Sequence, residues 1–91
     1  METLEIKVRI NGIDLALKWV AQYEGVAVKG VVAYTDEVEE TFNMEGDDEA
    51  TFEAAKAVAL GVYGQRRNGD PNCSNSDLHE IWNLMKQVAG V

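Results

Sequence analysis

One histidine and one cysteine, with a few hydroxyls beside them, are the natural candidates for nucleophilic chemistry in this chain. His79 is followed by Glu80, and Cys73 and Ser74 lie a few residues upstream. A hydrolytic triad needs a nucleophile, a histidine base and a carboxylate that orients it. No nucleophile motif surrounds Cys73 or Ser74, so His79 reads as an ordinary exposed histidine, and no catalytic residue is assigned. Cys73 near a helix start is a candidate for a lowered thiol pKa; in the plainer reading it is incidental. One Cys and one His cannot complete a structural zinc site, which wants four N or S ligands at defined spacing. Asp70, Asn72 and Ser74 match the first, third and fifth positions of a calcium loop. Asn75 then stands where glycine belongs and Ile81 where a bidentate glutamate belongs, so no metal site is expected. Gly61 and Gly64 form no phosphate-cradling motif, and Arg66 and Arg67 read as cations complementing a helix C-terminus. No cofactor is expected, and the chain reads as a non-enzyme.

The strongest chemical signal is charge placement. No basic residue occurs between Lys29 and Lys56, and that gap holds Asp36, Glu37, Glu39, Glu40, Glu45, Asp47, Asp48, Glu49 and Glu53, nine of the sixteen acids. Clustered like charge raises the free energy of the folded state by self-repulsion. Such a run is either tolerated for solubility or retained for a basic partner. Nine carboxylates over about 40 Å give one per ~4–5 Å, against one per ~1.7 Å along duplex DNA. Complementarity to a basic groove therefore explains the run better than close mimicry of DNA.

The elements that position these residues follow from periodicity. Leu4, Ile6, Val8 and Ile10 alternate with Glu5, Lys7 and Arg9, a half-buried strand over about 3–10. Asn11-Gly12 is a type I′ hairpin signal, and Ile13, Leu15, Leu17 and Trp19 continue the alternation in a second strand, about 13–21. A two-residue loop sets Arg9 opposite Asp14 and Glu5 opposite Lys18. A third strand spans about 26–34, with Val26, Val28, Gly30, Val32 and Tyr34 expected on the core face. A tight Glu24-Gly25 turn puts Trp19 opposite Gly30, and a looser four-residue loop puts Val28 there. A fourth strand spans about 38–44, with Val38, Glu40, Phe42 and Met44 inward; the inward Glu40 suggests an edge. Strand, loop and first helical turn then form one continuous acidic surface, with Glu37, Glu39 and Glu45 facing outward.

Asp47 is the candidate N-cap of a helix over about 47–64, carrying Phe52, Ala55, Ala59, Val62 and Tyr63. Ser74 or Ser76 caps a second helix, about 76–89, with Leu78, Ile81, Trp82, Met85, Val88 and Ala89 as its stripe. The sum is an α+β fold of one domain, 1–91: a four-stranded antiparallel β-meander followed by two C-terminal α-helices packed on one face. Ala16, Val20, Ala27, Val31 and Ala33 are left on the opposite face, which suggests a homodimer.

Composition agrees. The 91 residues are 46% hydrophobic and 26% charged, with net charge −8, a globular balance that excludes disorder. Such acidity argues against direct binding of nucleic acid or of an anionic membrane. The start lacks a secretory signal pattern, no apolar run reaches membrane-spanning length, and a lone cysteine fits a reducing, cytoplasmic setting. In size, charge and layout the chain resembles small acidic inhibitors: phage anti-defence proteins such as anti-CRISPRs, and immunity proteins that neutralise basic nuclease toxins. The resemblance is one of profile and carries over no individual residue. It implies a partner that is a larger protein with a basic surface, of the nucleic-acid-binding kind, blocked sterically or electrostatically. A self-associating protein using the apolar sheet face is the alternative.

Overall fold

The computed structural model describes residues 5–23, 26–44 and 48–90, with the side chains of 21–29 excepted. Four strands, β1 (Glu5–Ile10), β2 (Ile13–Tyr23), β3 (Val26–Tyr34) and β4 (Glu39–Asn43), precede the helices α1 (Asp48–Tyr63) and α2 (Asn75–Ala89). The strands form one antiparallel sheet in sequence order.

Asn11 (φ 52°) and Gly12 (φ 77°) both adopt the left-handed backbone that a type I′ turn requires. The turn pairs Ile10 with Ile13, Val8 with Leu15 and Ile6 with Leu17, as the sequence predicts. On the open face Arg9 and Asp14 form an ion pair at 3.6 Å. With both side chains mostly exposed, it contributes at most about 1 kcal/mol.

The third strand corrects the sequence reading. Tyr23 pairs with Val26, the register of a two-residue turn at 24–25, but farther along Val20 pairs with Gly30 and Trp19 with Val31. Between these segments one residue of β2 (21) faces two of β3 (28 and 29), a β-bulge. One extra residue reverses the faces of everything beyond it. Val31 and Ala33 therefore point into the core, 0% and 4% exposed, while Val32 and Tyr34 lie on the open face. Trp19 faces neither Gly30 nor Val28. Val31 and Ala33 thus leave the back face on which they were expected, and Val32 and Tyr34 replace them there. Ala16 and Val20 do lie there, beside Lys18, Val32 and Tyr34, and the side chain of Ala27 is outside the described residues. Beyond the bulge β4 keeps its expected faces, with Phe42 opposite Val31 and Glu40 opposite Ala33.

Helix α2 lies across β1, β2 and β3, and α1 packs against α2. The side chain of Ser74 caps α2 by accepting from the Asp77 N–H at 3.0 Å, and Gly90 closes it in the left-handed conformation. The expected cap of α1, Asp47, lies outside the described residues. Leu15, Leu17, Val31, Met44, Ile81 and Met85 are the largest fully buried side chains. Ala55 and Ala59, fully buried, let α1 approach closely.

Candidate partner-binding surface

Of the nine acids in the run, Asp36, Glu37, Glu39, Glu40, Asp48, Glu49 and Glu53 are described, and all seven are exposed. Glu45 and Asp47 lie outside the described residues. None of the seven carboxylates is in an ion pair among the described residues. The turn before β4 presents the first two: the Thr35 hydroxyl accepts the N–H groups of Glu37 and Val38, both at 3.2 Å, and the Thr35 N–H donates to the Val38 carbonyl at 2.8 Å. Strand alternation then puts Glu39 on the open face of the sheet and Glu40 on the helix side.

The described acids are spread along β4 and the length of α1, and the loop 45–47, through which a continuous acidic surface was expected, lies outside the described residues. Asp36 and Glu37 line a depression shared with Gly61 and Val62, so they sit beside the C-terminal end of α1. Asp48 and Glu49 begin that helix, with Glu53 one turn on. The thirteen steps along the helix from Asp48 to Gly61 rise about 20 Å. At physiological salt the Debye length is ~8 Å, so the two ends act as separate patches.

The patch at the start of α1 adjoins an aromatic cluster that sequence reasoning passed over. Phe52 lies 5.2 Å from the Trp82 ring and 5.6 Å from that of His79, and His79 lies 5.7 Å from Trp82. The Trp82 indole N–H donates to the Thr51 hydroxyl at 3.0 Å, and that hydroxyl donates to the Asp48 carbonyl at 2.9 Å. Thr51 is 4% exposed and is the buried polar residue of the core. The Lys86 ammonium sits 3.9 Å from the Trp82 ring centre. The signal available in the sequence was the His79, Trp82, Lys86 row at i, i+3 and i+7, a second stripe beside the apolar one. Phe52 joins it only through the packing of α1 on α2.

Elsewhere the chemistry is subdued. Cys73 is buried, and desolvation raises its pKa, opposite in direction to a reactive thiolate at a helix start. The Tyr63 hydroxyl is buried without a hydrogen-bond partner, and desolvation pushes its pKa up to about 12. The Tyr34 hydroxyl reaches over β2 to donate to the Glu5 carboxylate, a bond that raises the Tyr34 pKa. Arg66 and Arg67 follow the end of α1 rather than belonging to its last turn, which holds no basic residue. They lie just beyond it, in a loop closed by the Arg66 N–H to the Asp70 carbonyl at 2.7 Å. Among the described residues no group of three or more His, Cys, Asp or Glu side chains is arranged to hold a metal ion, and no helix is long and apolar enough to cross a membrane. Comparison with protein-family models, with curated proteins and with solved structures finds no match.

Proposed function

We propose that this chain is a binding module whose carboxylates engage a basic, nucleic-acid-binding surface of a larger protein and block it. The observation that supports this is the asymmetry of charge. Seven described acids of the run are exposed and outside ion pairs around β4 and α1, while Lys7, Arg9 and Lys18 sit on the open face of β1 and β2. Unneutralised charge of one sign speeds encounter with an oppositely charged surface and repels competitors of like sign. In the self-associating alternative Val32 and Tyr34, beside Ala16 and Val20, take the place of Val31 and Ala33, which belong to the core.

The test is capture of a partner from a lysate of the source organism over a salt series, followed by affinity measurement with the isolated partner. Charge reversal of Glu37, Glu39 and Asp48 to lysine should abolish binding while the melting curve stays cooperative. Rising salt should act mainly by slowing association. Because the two patches lie ~20 Å apart, reversing Asp36 and Glu37 separately from Asp48 and Glu49 tells which one is used. Unchanged affinity in the folded triple variant would show that the run only solubilises the protein.

A further inference from the structure

We infer that the depression between Phe52, His79 and Trp82, under Asp48 and Glu49, is a receptor for one arginine side chain of the partner. Calling the donor of that arginine a basic protein partner rests on the function proposed above; the guanidinium chemistry rests on the site alone. These five residues line an open hollow of about 300 Å³, a size suited to a single side chain rather than a helix or strand. Three of the five are π-systems; the lining is almost wholly apolar, so Asp48 and Glu49 border the hollow through their carbon atoms, with their exposed carboxylates beside it and outside ion pairs among the described residues.

Charge complementarity selects the occupant. An anion would meet two carboxylates. An aliphatic or aromatic side chain would match the apolar lining but would leave the two exposed carboxylates beside it without a counter-charge. A cation answers both halves of the site, stacking on the rings and pairing with the acids. A guanidinium suits it better than an ammonium, since its plane stacks on an aromatic face while its edge N–H groups donate to carboxylates. The partial positive charge of the α1 N-terminus opposes this, but about half an elementary charge is outweighed by two full carboxylates in the first turn.

The site is also preorganised. The Trp82–Thr51–Asp48 chain of hydrogen bonds fixes the indole before any ligand arrives, so less side-chain freedom is lost on binding. Lys86, 3.9 Å from the indole centre and not among the residues lining the hollow, shows that this ring already attracts a cation from elsewhere.

The experiment titrates the full chain with the peptide acetyl-Gly-Arg-Gly-amide in low-salt buffer and follows the tryptophan indole N–H resonances. The expected result is a saturable shift of the Trp82 signal with the Trp19 signal unmoved. The citrulline peptide, which keeps the shape and loses the charge, should produce no such shift. The D48N/E49Q variant, which leaves the rings intact, should bind roughly fivefold or more weakly. Absence of a saturable Trp82 shift, equal response to citrulline, or full affinity in D48N/E49Q would each overturn the inference. The function proposed above fails separately. A captured partner lost on charge reversal, with no response to the peptide, overturns only the arginine receptor. A peptide that binds as expected, beside a partner indifferent to charge reversal, supports the receptor and overturns the proposed function.

Discussion

Replacing Gly12 and Gly61 with alanine tests whether backbone conformation rather than packing holds the first hairpin. Both positions are open, since a Cβ placed on either meets nothing within 4 Å, so neither substitution reports a clash. Gly12 sits at φ +77°, where an L-residue is disfavoured by about 1–2 kcal/mol. Gly61 lies inside α1, where alanine in place of glycine stabilises by about 0.5–1 kcal/mol. The same chemical change therefore carries opposite signs at two equally spacious sites. In a domain of this size 1 kcal/mol moves the melting temperature by about 4–8 °C, so Gly12→Ala should lower it by roughly 4–16 °C and Gly61→Ala should raise it by roughly 2–8 °C. Gly12→Val should fall further than Gly12→Ala, because a β-branched residue is a genuine outlier at positive φ. Thermal melts by circular dichroism, with urea midpoints as a second measure, decide the matter. A Gly12→Ala variant melting within a degree or two of the parent, or shifts of the same sign at both sites, would refute the reasoning.

Thr51→Val should cost about 1–3 kcal/mol, because it leaves the Trp82 indole N–H without its acceptor, and Thr51→Ser should recover most of that loss in urea unfolding. Tyr63→Phe should raise stability at neutral pH, since it removes a buried hydroxyl that has no partner. Burial raises the Tyr63 pKa from 10.0 to about 12, so the folded state keeps the proton that the unfolded chain loses, and stability is intact below pH 10 and falls as pH rises toward 12. The phenylalanine variant should show a shallower alkaline loss in pH-dependent unfolding, and tyrosine absorbance should lose a titration at that high pH. Glu40→Val should make the protein self-associate, because the edge strand β4 would lose its helix-side charge beside Phe42; light scattering across a concentration series measures this.

How far each element could be read from the sequence follows from how local its determinants are. The first hairpin was legible to the residue, because Asn11-Gly12 selects the turn type and a two-residue turn admits one register. The helices and the faces of β4 were legible for the same reason, as each rests on periodicity within a single segment. The β3 face was not. Tyr23 pairs with Val26, as the tighter of the two turns requires, yet a bulge at 28–29 makes the pairing Trp19–Val31 in place of Trp19–Gly30. Apart from Lys29, Val26 to Tyr34 is apolar on both faces, so its hydrophobic pattern offers little objection to either register. The choice falls to tertiary packing, in which Val31 and Ala33 join Leu17 in the core.

The same reversal bears on the candidate site. With Val31 and Ala33 inward, Tyr34 is on the open face, where it binds Glu5 across β2 and shares a depression with Lys7, Arg9 and Asp14. That face carries both signs of charge, and the sequence reading had reserved part of it for self-association. Glu39 and Asp36 also border that face, beside its cations, while Asp48 and Glu49 stand at the start of α1. Among the described residues the start of α1 alone sets its acids beside a cluster of three aromatic rings. At the opposite end Asp36 and Glu37 border Gly12, Gly61 and Val62, and Asp36 also shares a depression with the Tyr34 ring, where Lys7 and Arg9 repel an incoming cation. A partner that merely sought negative charge would use both ends alike, whereas one that inserts an arginine gains the three-ring cluster, away from those two cations, at one end alone. Reversal of Asp48 and Glu49 should therefore cost more affinity than reversal of Asp36 and Glu37, although each pair removes the same formal charge. Equal losses at the two ends would mean that recognition is by long-range charge alone.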